Sequence, residues 1–353
     1  MTNGKKVFVG LSGGVDSSVA ALRLQREGYA VTGVFIKVWH PDFLVCNWEQ
    51  ERLDAMRVAA KLGIPFLTCD AEAEYRDAVA HYFIESYRAG LTPNPDVMCN
   101  KEVKFGAFYR FAKERGTDYI ATGHYAQTIQ GTVGVEMHRG VDTQKDQTYF
   151  LWTLPKPILE EVLFPVGNST KDVIRAEALA AGLLTATKRD SQGVCFLGHI
   201  DIPDFLSHYI DLKEGSVLNE SGEVIGTHKG AFVYTIGQRQ GYILNDHNPN
   251  RAPLYVIAKD TVHNTITVSE TAPILLPQST ITLIQCVTTD TLKIGEELQA
   301  QSRYRQKPFT VTVEKSDDTT ITLTVTQQSE AIASGQSCVL YRGERCIGGG
   351  IIL

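Results

Sequence analysis

Through the first 125 residues, short apolar runs alternate with stretches whose apolar residues recur every three to four positions. The run over 5–11 (Lys5-Lys6-Val7-Phe8-Val9-Gly10-Leu11) predicts a buried strand. The stretch 17–27 predicts a helix, with Val19, Ala20, Leu22 and Leu24 apolar and Gly28 as its stop. Further strands are predicted over 31–39, 64–69 and 119–122, the last ending at Gly123-His124. Helices are predicted over 49–62, 72–89 and 103–115, closed by Gly63, Gly90 and Gly116. Strands and helices alternating at this spacing make a parallel sheet covered on both faces. A ligand then belongs at the carboxyl ends of the strands.

Between 126 and 200 the pattern is mixed, apart from a clear helix over 170–181 that stops at Gly182. From about 203 the texture changes to short apolar runs separated by Gly, Asn and Asp turns. Strands are expected over 217–218, 224–225, 232–234, 255–257 and 265–268. Seven threonines between 310 and 326 alternate with Val, Ile or Leu and predict a β-hairpin over 311–313 and 321–326, turned at Asp317-Asp318. The expected organisation is an α/β domain (1–202), a small mixed, β-rich central domain (203–274) and a C-terminal β-barrel-like domain (275–353).

Composition narrows the class. The 353 residues are 43% apolar and 21% charged, which excludes disordered and low-complexity chains. No apolar run approaches the roughly 18 residues that span a bilayer. The N-terminal apolar stretch is broken at Gly10 and at Gly13-Gly14, so no signal peptide is expected, and the expected location is the cytoplasm, with no membrane partner. A net charge of −6 argues against nonspecific polyanion binding but not against local basic patches. Seven cysteines form no C-x-x-C pair, so neither a zinc ribbon nor a secreted disulfide scaffold is expected.

The chemistry concentrates in three places. Ser12-Gly13-Gly14-Val15-Asp16-Ser17-Ser18 lies between the first strand and the first helix. Glycines there let backbone amides approach an anion, and the hydroxyls of Ser12, Ser17 and Ser18 add donors. A bare S-G-G would be only a turn; at the first βα junction it predicts a phosphate site. Neither Gly-Lys-Ser/Thr nor G-x-G-x-x-G is present. Cys99 and Cys195 stand apart from the other cysteines. Cys99 follows Leu91-Thr92-Pro93-Asn94-Pro95-Asp96, expected to be a non-helical loop, and has Lys101 and Lys104 beyond it, so a lowered thiol pKa is expected. Cys195 lies on a glycine-containing turn downstream of Lys188-Arg189. Cys69, Cys286, Cys338 and Cys346 are expected to be inert packing thiols, and Cys46 is ambiguous. The third place is Arg303-Tyr304-Arg305-Gln306-Lys307, the densest basic cluster, which suits single-stranded RNA or a plain solvated strand face.

The S-G-G-V-D-S-S loop resembles the signature of the ATP-pyrophosphatase (PP-loop) superfamily, the adenine nucleotide alpha hydrolase-like fold. With P-N-P-D-x-x-C-N-K-x-x-K-F, A-T-G-H-Y, K-D-Q-T-Y-F-L, D-S-Q-G-V-C-F and G-Q-S-C-V-L-Y in order, the chain resembles the bacterial tRNA-specific 2-thiouridylase family from residue 6 to 352. It departs from the usual pattern at Ile36 and Val38, at Gln240, where relatives usually place Lys, and at Tyr242, where Leu is common.

The resemblance implies ATP-dependent thiolation at C2 of the wobble uridine, with O2 adenylated, pyrophosphate released and AMP leaving. The base is flipped into the pocket above the loop. Gly10, Leu11, Ser12, Gly13, Gly14, Val15, Asp16 and Ser17 would hold the pyrophosphate of ATP, as its Mg²⁺ complex, with Ile36 and Gly123 beside the adenine and ribose. Asn94, Pro95 and Asp96 would line the base pocket, with Asp96 as acid or base. Cys195 would carry a persulfide, and Cys99 would either attack Cys195 or assist attack on C2, leaving a transient Cys99–Cys195 disulfide. An iron–sulfur cluster on Asp96, Cys99 and Cys195 is the other implied scheme. The implied tRNA contacts are His124, Lys145, Asp146, Gln147, Arg303, Tyr304 and Gln336, with His124 alternatively a satisfied strand-end histidine. The implied partners are glutamate, lysine and glutamine tRNAs and a sulfur-relay protein or cysteine desulfurase. A PP-loop ligase acting on a small molecule and a catalytically silent RNA-binding relative are the alternatives.

Overall fold

The structure, a computed structural model, describes residues 4–44, 48–189, 201–246 and 250–353. Its N-terminal part contains β1 (Lys6–Gly10), α1 (Val15–Arg26), β2 (Ala30–Lys37), α2 (Trp48–Leu62), β3 (Phe66–Asp70), β4 (Tyr119–Ala121) and β7 (Val162–Leu163). These five strands form one parallel sheet in the order β3-β2-β1-β4-β7. Alternation along β1 explains why both faces are covered. Val7 and Val9 pack with α1, whereas Phe8 faces a second core containing Phe105 and Phe108.

Helix boundaries follow local chemistry. The helix expected from residue 17 begins at Val15, with Gly14 extended as its N-cap. The larger difference is at 95–98. Residues 91–94 are non-helical as expected, but from Pro95 the chain is already one helical run over 95–113, with π geometry at Cys99–Ala107. Pro95 causes no break because it occupies the first turn, where its missing N–H has no partner to lose. Asn94 caps it by accepting from the Val97 N–H at 3.3 Å.

The expected strand at 232–234 is also corrected: Ala231–Val233 is a 3₁₀ turn whose Ala231 and Val233 are buried. Three apolar residues carry no period, so the run fits either conformation. The central sheet orders Tyr242–Leu244, Val224–His228, Gly215–Leu218, Thr265–Ser269 and Tyr255–Asp260. It shares a core with Phe83, Ile84 and Tyr87 of the helical run over 72–88.

The C-terminal part is a six-stranded antiparallel barrel. Thr280–Thr288, Thr320–Val325, Phe309–Ser316, Glu297–Gln301, Ser337–Arg342 and Arg345–Ile352 pair in that order, and the last pairs back onto the first. The threonine-rich hairpin is present, and Asp317 Oδ1 accepts from the N–H groups of Thr319 and Thr320 in its turn. The mixed region after 125 holds a hairpin, β5 (Ala126–Gly131) and β6 (Gly134–Arg139), that leaves the α/β domain and adds to the barrel sheet. Its Met137 and His138 pair with Cys346 and Arg345. Val339, Tyr341 and Cys346 of the barrel accordingly lie in the same core as Phe105, Phe108 and Phe164. Among the described residues no helix is long and apolar enough to cross a membrane.

His124 lies inside this shared structure, 7% exposed, between the rings of Phe105 and Phe164. Its Nε2 faces Lys104 Nζ at 3.4 Å, so that nitrogen accepts, and Nδ1 donates to Thr122 Oγ1 at 2.8 Å. Burial, reinforced by the Lys104 cation, holds the imidazole well below its ordinary pKa.

Two stability predictions follow from these contacts. A Cβ on Gly167 would fall on the Ala126 carbonyl, where β5 departs. Gly167→Ala should therefore cost about 2–3 kcal/mol and lower the thermal midpoint by several degrees. Second, an imidazole kept neutral by burial leaves the unfolded chain binding the extra proton below its ordinary pKa. Stability should fall as pH drops below about 6.5, with a limiting slope of about 1.4 kcal/mol per pH unit per histidine. His228, lowered in the same direction by burial, adds to the effect. Melting curves at pH 7.5 and 5.5 should differ less for His124→Gln than for the unaltered protein; an equal difference would contradict the assignment.

Candidate functional site

The loop after β1 is built to expose amides. Gly13 adopts φ +71°, and a Cβ there would stand 2.7 Å from the Glu51 carbonyl of α2. Only glycine lets the loop press so closely against that helix. Gly123, at the end of β4, is similarly constrained, since a Cβ would come 2.6 Å from the Ser17 nitrogen. Gly10 lies against Ile36 and Phe108. Leu11 and Val15 bury their side chains in the core, so only their backbones face the loop.

The serines divide into two kinds. Ser12 N–H points at Ser17 Oγ at 3.3 Å, and the two hydroxyls are also 3.3 Å apart. Ser12 Oγ accepts from the Gly14 N–H. Ser18, by contrast, is fully buried, donates to the Gly14 carbonyl at 2.7 Å and accepts from Thr185. Ser12 and Ser17 thus face the loop, and Ser18 holds α1 from behind.

Asp16 gathers partners that the sequence pattern did not reveal. Both its carboxylate oxygens receive Lys171 Nζ, at 2.8 and 2.7 Å, and Oδ1 also accepts from Tyr125 Oη at 2.8 Å. Lys171 opens the helix Lys171–Ala180. It was legible only as a charged residue in a helix's first turn. A separation of 155 positions along the chain hides the pairing.

Asp96 and Cys99 stand three residues apart, within one turn of the start of the run over 95–113. Lys104, five residues further on, meets His124 just past the end of β4. Phe108, further along the run, lies against Gly10 at the end of β1, so the run extends past the carboxyl edge of the sheet toward its start, and Cys99 stands beyond that edge, on the side where the loop lies. The setting differs from the expected polar loop: Cys99 is fully buried in the shared core. Cys195 and Cys46 lie outside the described residues. The expected packing thiols behave as such, with burial pushing Cys69, Cys338 and Cys346 up to about 12 and Cys286 up to about 11.

The residues expected to touch tRNA separate into surface and interior groups. Asp146 is buried, paired with Arg139 at 2.9 Å, and accepts from Gly140 N–H and Thr148 Oγ1. An interior carboxylate so engaged fastens its own loop. His124 is likewise interior, as the strand-end alternative required. Gln147 is half-buried, and its Oε1 accepts the Tyr125 N–H. Lys145, Arg303, Tyr304 and Gln336 keep partial exposure. Arg303 reaches from the barrel to the Ile236 carbonyl of the central domain at 2.8 Å. Among the described residues, the side-chain atoms buried without a hydrogen-bond partner include Arg303 Nε, Gln336 Oε1, Ser337 Oγ and Asn100 Oδ1.

Tyr149 joins this region and was not singled out from the sequence. Its hydroxyl lies 3.0 and 3.1 Å from the Ser302 and Ser337 carbonyls and 3.5 Å from Asn94 Nδ2. Burial, with a smaller push from nearby Cys338 and Asp96, holds the hydroxyl far from ionising. Thr92 adds two links, its N–H donating to the Ser334 carbonyl of the barrel at 2.9 Å and its hydroxyl meeting Thr235 Oγ1 at 3.2 Å. The segment capping the Cys99 helix therefore touches all three parts of the fold. Among the described residues, no group of three His, Cys, Asp or Glu side chains could hold a metal ion.

Comparison with known proteins covers the whole chain. Residues 5–199 match a family model described as the tRNA methyl transferase HUP domain. Residues 203–270 match a tRNA methyl transferase PRC-barrel domain, and 280–352 an aminomethyltransferase beta-barrel domain. The chain is 44% identical over 98% of its length to the tRNA-specific 2-thiouridylase MnmA of Enterococcus faecalis, covering 95% of that protein. It is 43% identical to that of Lactiplantibacillus plantarum, over 98% of this chain and 95% of the relative. A solved structure, the U34-tRNA thiolase NcsA of Methanococcus maripaludis with its [4Fe-4S] cluster, aligns at 17% identity and a TM-score of 0.36, over 60% of this chain and 65% of that one. On its full-length identity to these relatives, the chain belongs to the tRNA-specific 2-thiouridylase (MnmA) family.

Proposed function

We propose that this protein replaces the C2 oxygen of the wobble uridine of tRNA with sulfur at the expense of ATP. The observation that carries the reading is a single edge of one sheet holding both a glycine-rich amide loop and a helix bearing Asp96 and Cys99. An amide loop suits a polyphosphate, and an acid–thiol pair suits transfer of sulfur to an activated carbonyl. The names of the full-length relatives support the same substrate and product.

Magnesium-bound ATP is the co-substrate. The amides of 10–17 and the Ser12 and Ser17 hydroxyls cradle its phosphates, with Ile36 and Gly123 beside the nucleoside. Asn94, Pro95 and Asp96 receive the flipped uracil. The O2 atom attacks the α-phosphorus, the bond to the bridging oxygen breaks, and pyrophosphate leaves. Asp96 takes up or returns the uracil proton. The terminal sulfur of a Cys195 persulfide then attacks C2, and AMP departs with the former O2. Cys99 attacks the Cys195 sulfur, so the bond to the transferred sulfur breaks and leaves a C2 thiocarbonyl. Two cysteine sulfurs are oxidised to the Cys99–Cys195 disulfide while the transferred sulfur is reduced, and a thiol reductant resets the pair. In the alternative scheme Asp96, Cys99 and Cys195 would instead hold an iron–sulfur cluster, which would supply sulfide-binding chemistry at the same place.

In this reading, units 1–202, 203–274 and 275–353 divide the work between chemistry, linkage and tRNA docking. Lys145, Arg303, Tyr304 and Gln336 are the direct tRNA contacts, and His124, Asp146 and Gln147 hold their supports. Glutamate, lysine and glutamine tRNAs are the acceptors, and a relay protein or cysteine desulfurase in the cytoplasm supplies the persulfide.

Nucleoside mass spectrometry tests the reaction. Unmodified glutamate tRNA incubated with protein, ATP, Mg²⁺ and a persulfide donor should gain 2-thiouridine, and none should form without ATP. Cys99→Ser should lower product at least a hundredfold while tRNA binding stays within about twofold. Undiminished product from Cys99→Ser would sink the thiol mechanism.

A further inference from the structure

The proposed phosphate cradle lacks an obvious cation. Residues 10–18 supply amides, hydroxyls and one acid, but neither lysine nor arginine. Splitting ATP between its α- and β-phosphates concentrates negative charge on departing pyrophosphate. Fixed positive groups aimed at such charge are the usual source of catalytic stabilisation.

Lys171 is positioned for that role. Its ammonium is held on Asp16, the second residue of α1, two positions past the Gly14 N-cap. The lysine side chain is only 10% exposed. Its main-chain N–H is fixed by Asp142 Oδ2 at 3.0 Å, so the stem emerges from a tethered helix start. Across the loop, Lys188 is held by Asp54 of α2 at 2.7 Å.

Burying an ion pair rarely stabilises a fold more than apolar packing of similar volume. A structural explanation for Lys171 is therefore weak. Asp16 does not depend on it alone, because Tyr125 Oη and the amide end of α1 also serve that carboxylate. A cation shared between a carboxylate and an adjacent anion site is poised for exchange.

We infer that Lys171 is a phosphate ligand of the ATP site, leaving Asp16 to bind the β- and γ-phosphates and staying with pyrophosphate until release. The inference rests on the adenylation reading above and adds a residue to it. Asp16 keeps Tyr125 as its partner while the lysine is engaged.

The test is calorimetric titration of the full-length protein with inorganic pyrophosphate and, separately, with AMP. Lys171→Gln should weaken pyrophosphate binding at least tenfold and leave AMP binding within about twofold. Lys171→Arg should recover most of the pyrophosphate affinity, because the charge remains. If the glutamine variant does not fold, Lys171→Met carries the same comparison with no polar group left in a buried position. Unchanged pyrophosphate affinity, or equal loss of both ligands, would overturn the assignment; equal loss would mean that Lys171 only shapes the loop. A separate control isolates the parent reading. If the unaltered protein releases no pyrophosphate from ATP in the presence of tRNA, adenylation itself fails, whatever Lys171 binds.

Discussion

The Cys99 helix is held in place by a hydrophobic core that two domains build together. Val339, Tyr341 and Cys346 of the barrel pack with Phe105, Phe108 and Phe164 of the α/β domain, and Cys99 is fully buried among them. Neither part closes this core alone. The β5–β6 hairpin makes the arrangement covalent in effect, because it starts at the end of β4 and finishes as two strands of the barrel sheet. A domain interface fused at this level behaves as one body, unlike the smaller, more polar contacts that permit domain motion.

Polar links then fix the finer geometry. Arg139 stacks over the Tyr341 ring at 3.6 Å while pairing with Asp146. Tyr149 holds the barrel carbonyls of Ser302 and Ser337 beside Asn94. Each of these groups lies in or beside the K-D-Q-T-Y-F-L segment. That segment is therefore a joint at least as much as a surface, which accounts for the interior placement of Asp146. Asn100, Arg303, Gln336 and Ser337, in this joint and its flanks, each keep a buried polar atom without a hydrogen-bond partner, as do Trp152, Thr153, His228 and Arg345. Buried polar atoms without partners cost free energy, so a partner supplied by a ligand is the natural place for that cost to be recovered.

The two sides of the active edge differ in how they meet charge. The glycine loop offers neutral donors on a rigid strand–helix corner, with Gly13 and Gly123 allowing contacts that a side chain would block. Around it, the cations Lys171 and Lys188 are each tied to a carboxylate. The thiol side is drier and more apolar. Desolvation there suits the proposed sulfur transfer, in which water must be kept from an activated uridine.

Periodicity was enough to determine the parallel sheet, the order of its helices, the change to β structure after 203 and the threonine hairpin. Each depends on local alternation, which neighbours in sequence carry. The glycine loop was legible for the same reason, since a strand, a turn and a helix are contiguous. Pairings across long separations were not. Lys171 with Asp16, Tyr149 with the barrel carbonyls and β5–β6 with Arg345–Ile352 join segments whose sequences give no sign of one another. Local rules also misjudged 95–98, where two prolines suggested that the loop continued although Asn94 and Pro95 make a sound helix start. What tertiary structure alone decided was which side chains lost their water. Burial placed Asp146, His124 and Cys99 in the interior, because exposure depends on what folds over a residue and not on what stands beside it in the chain.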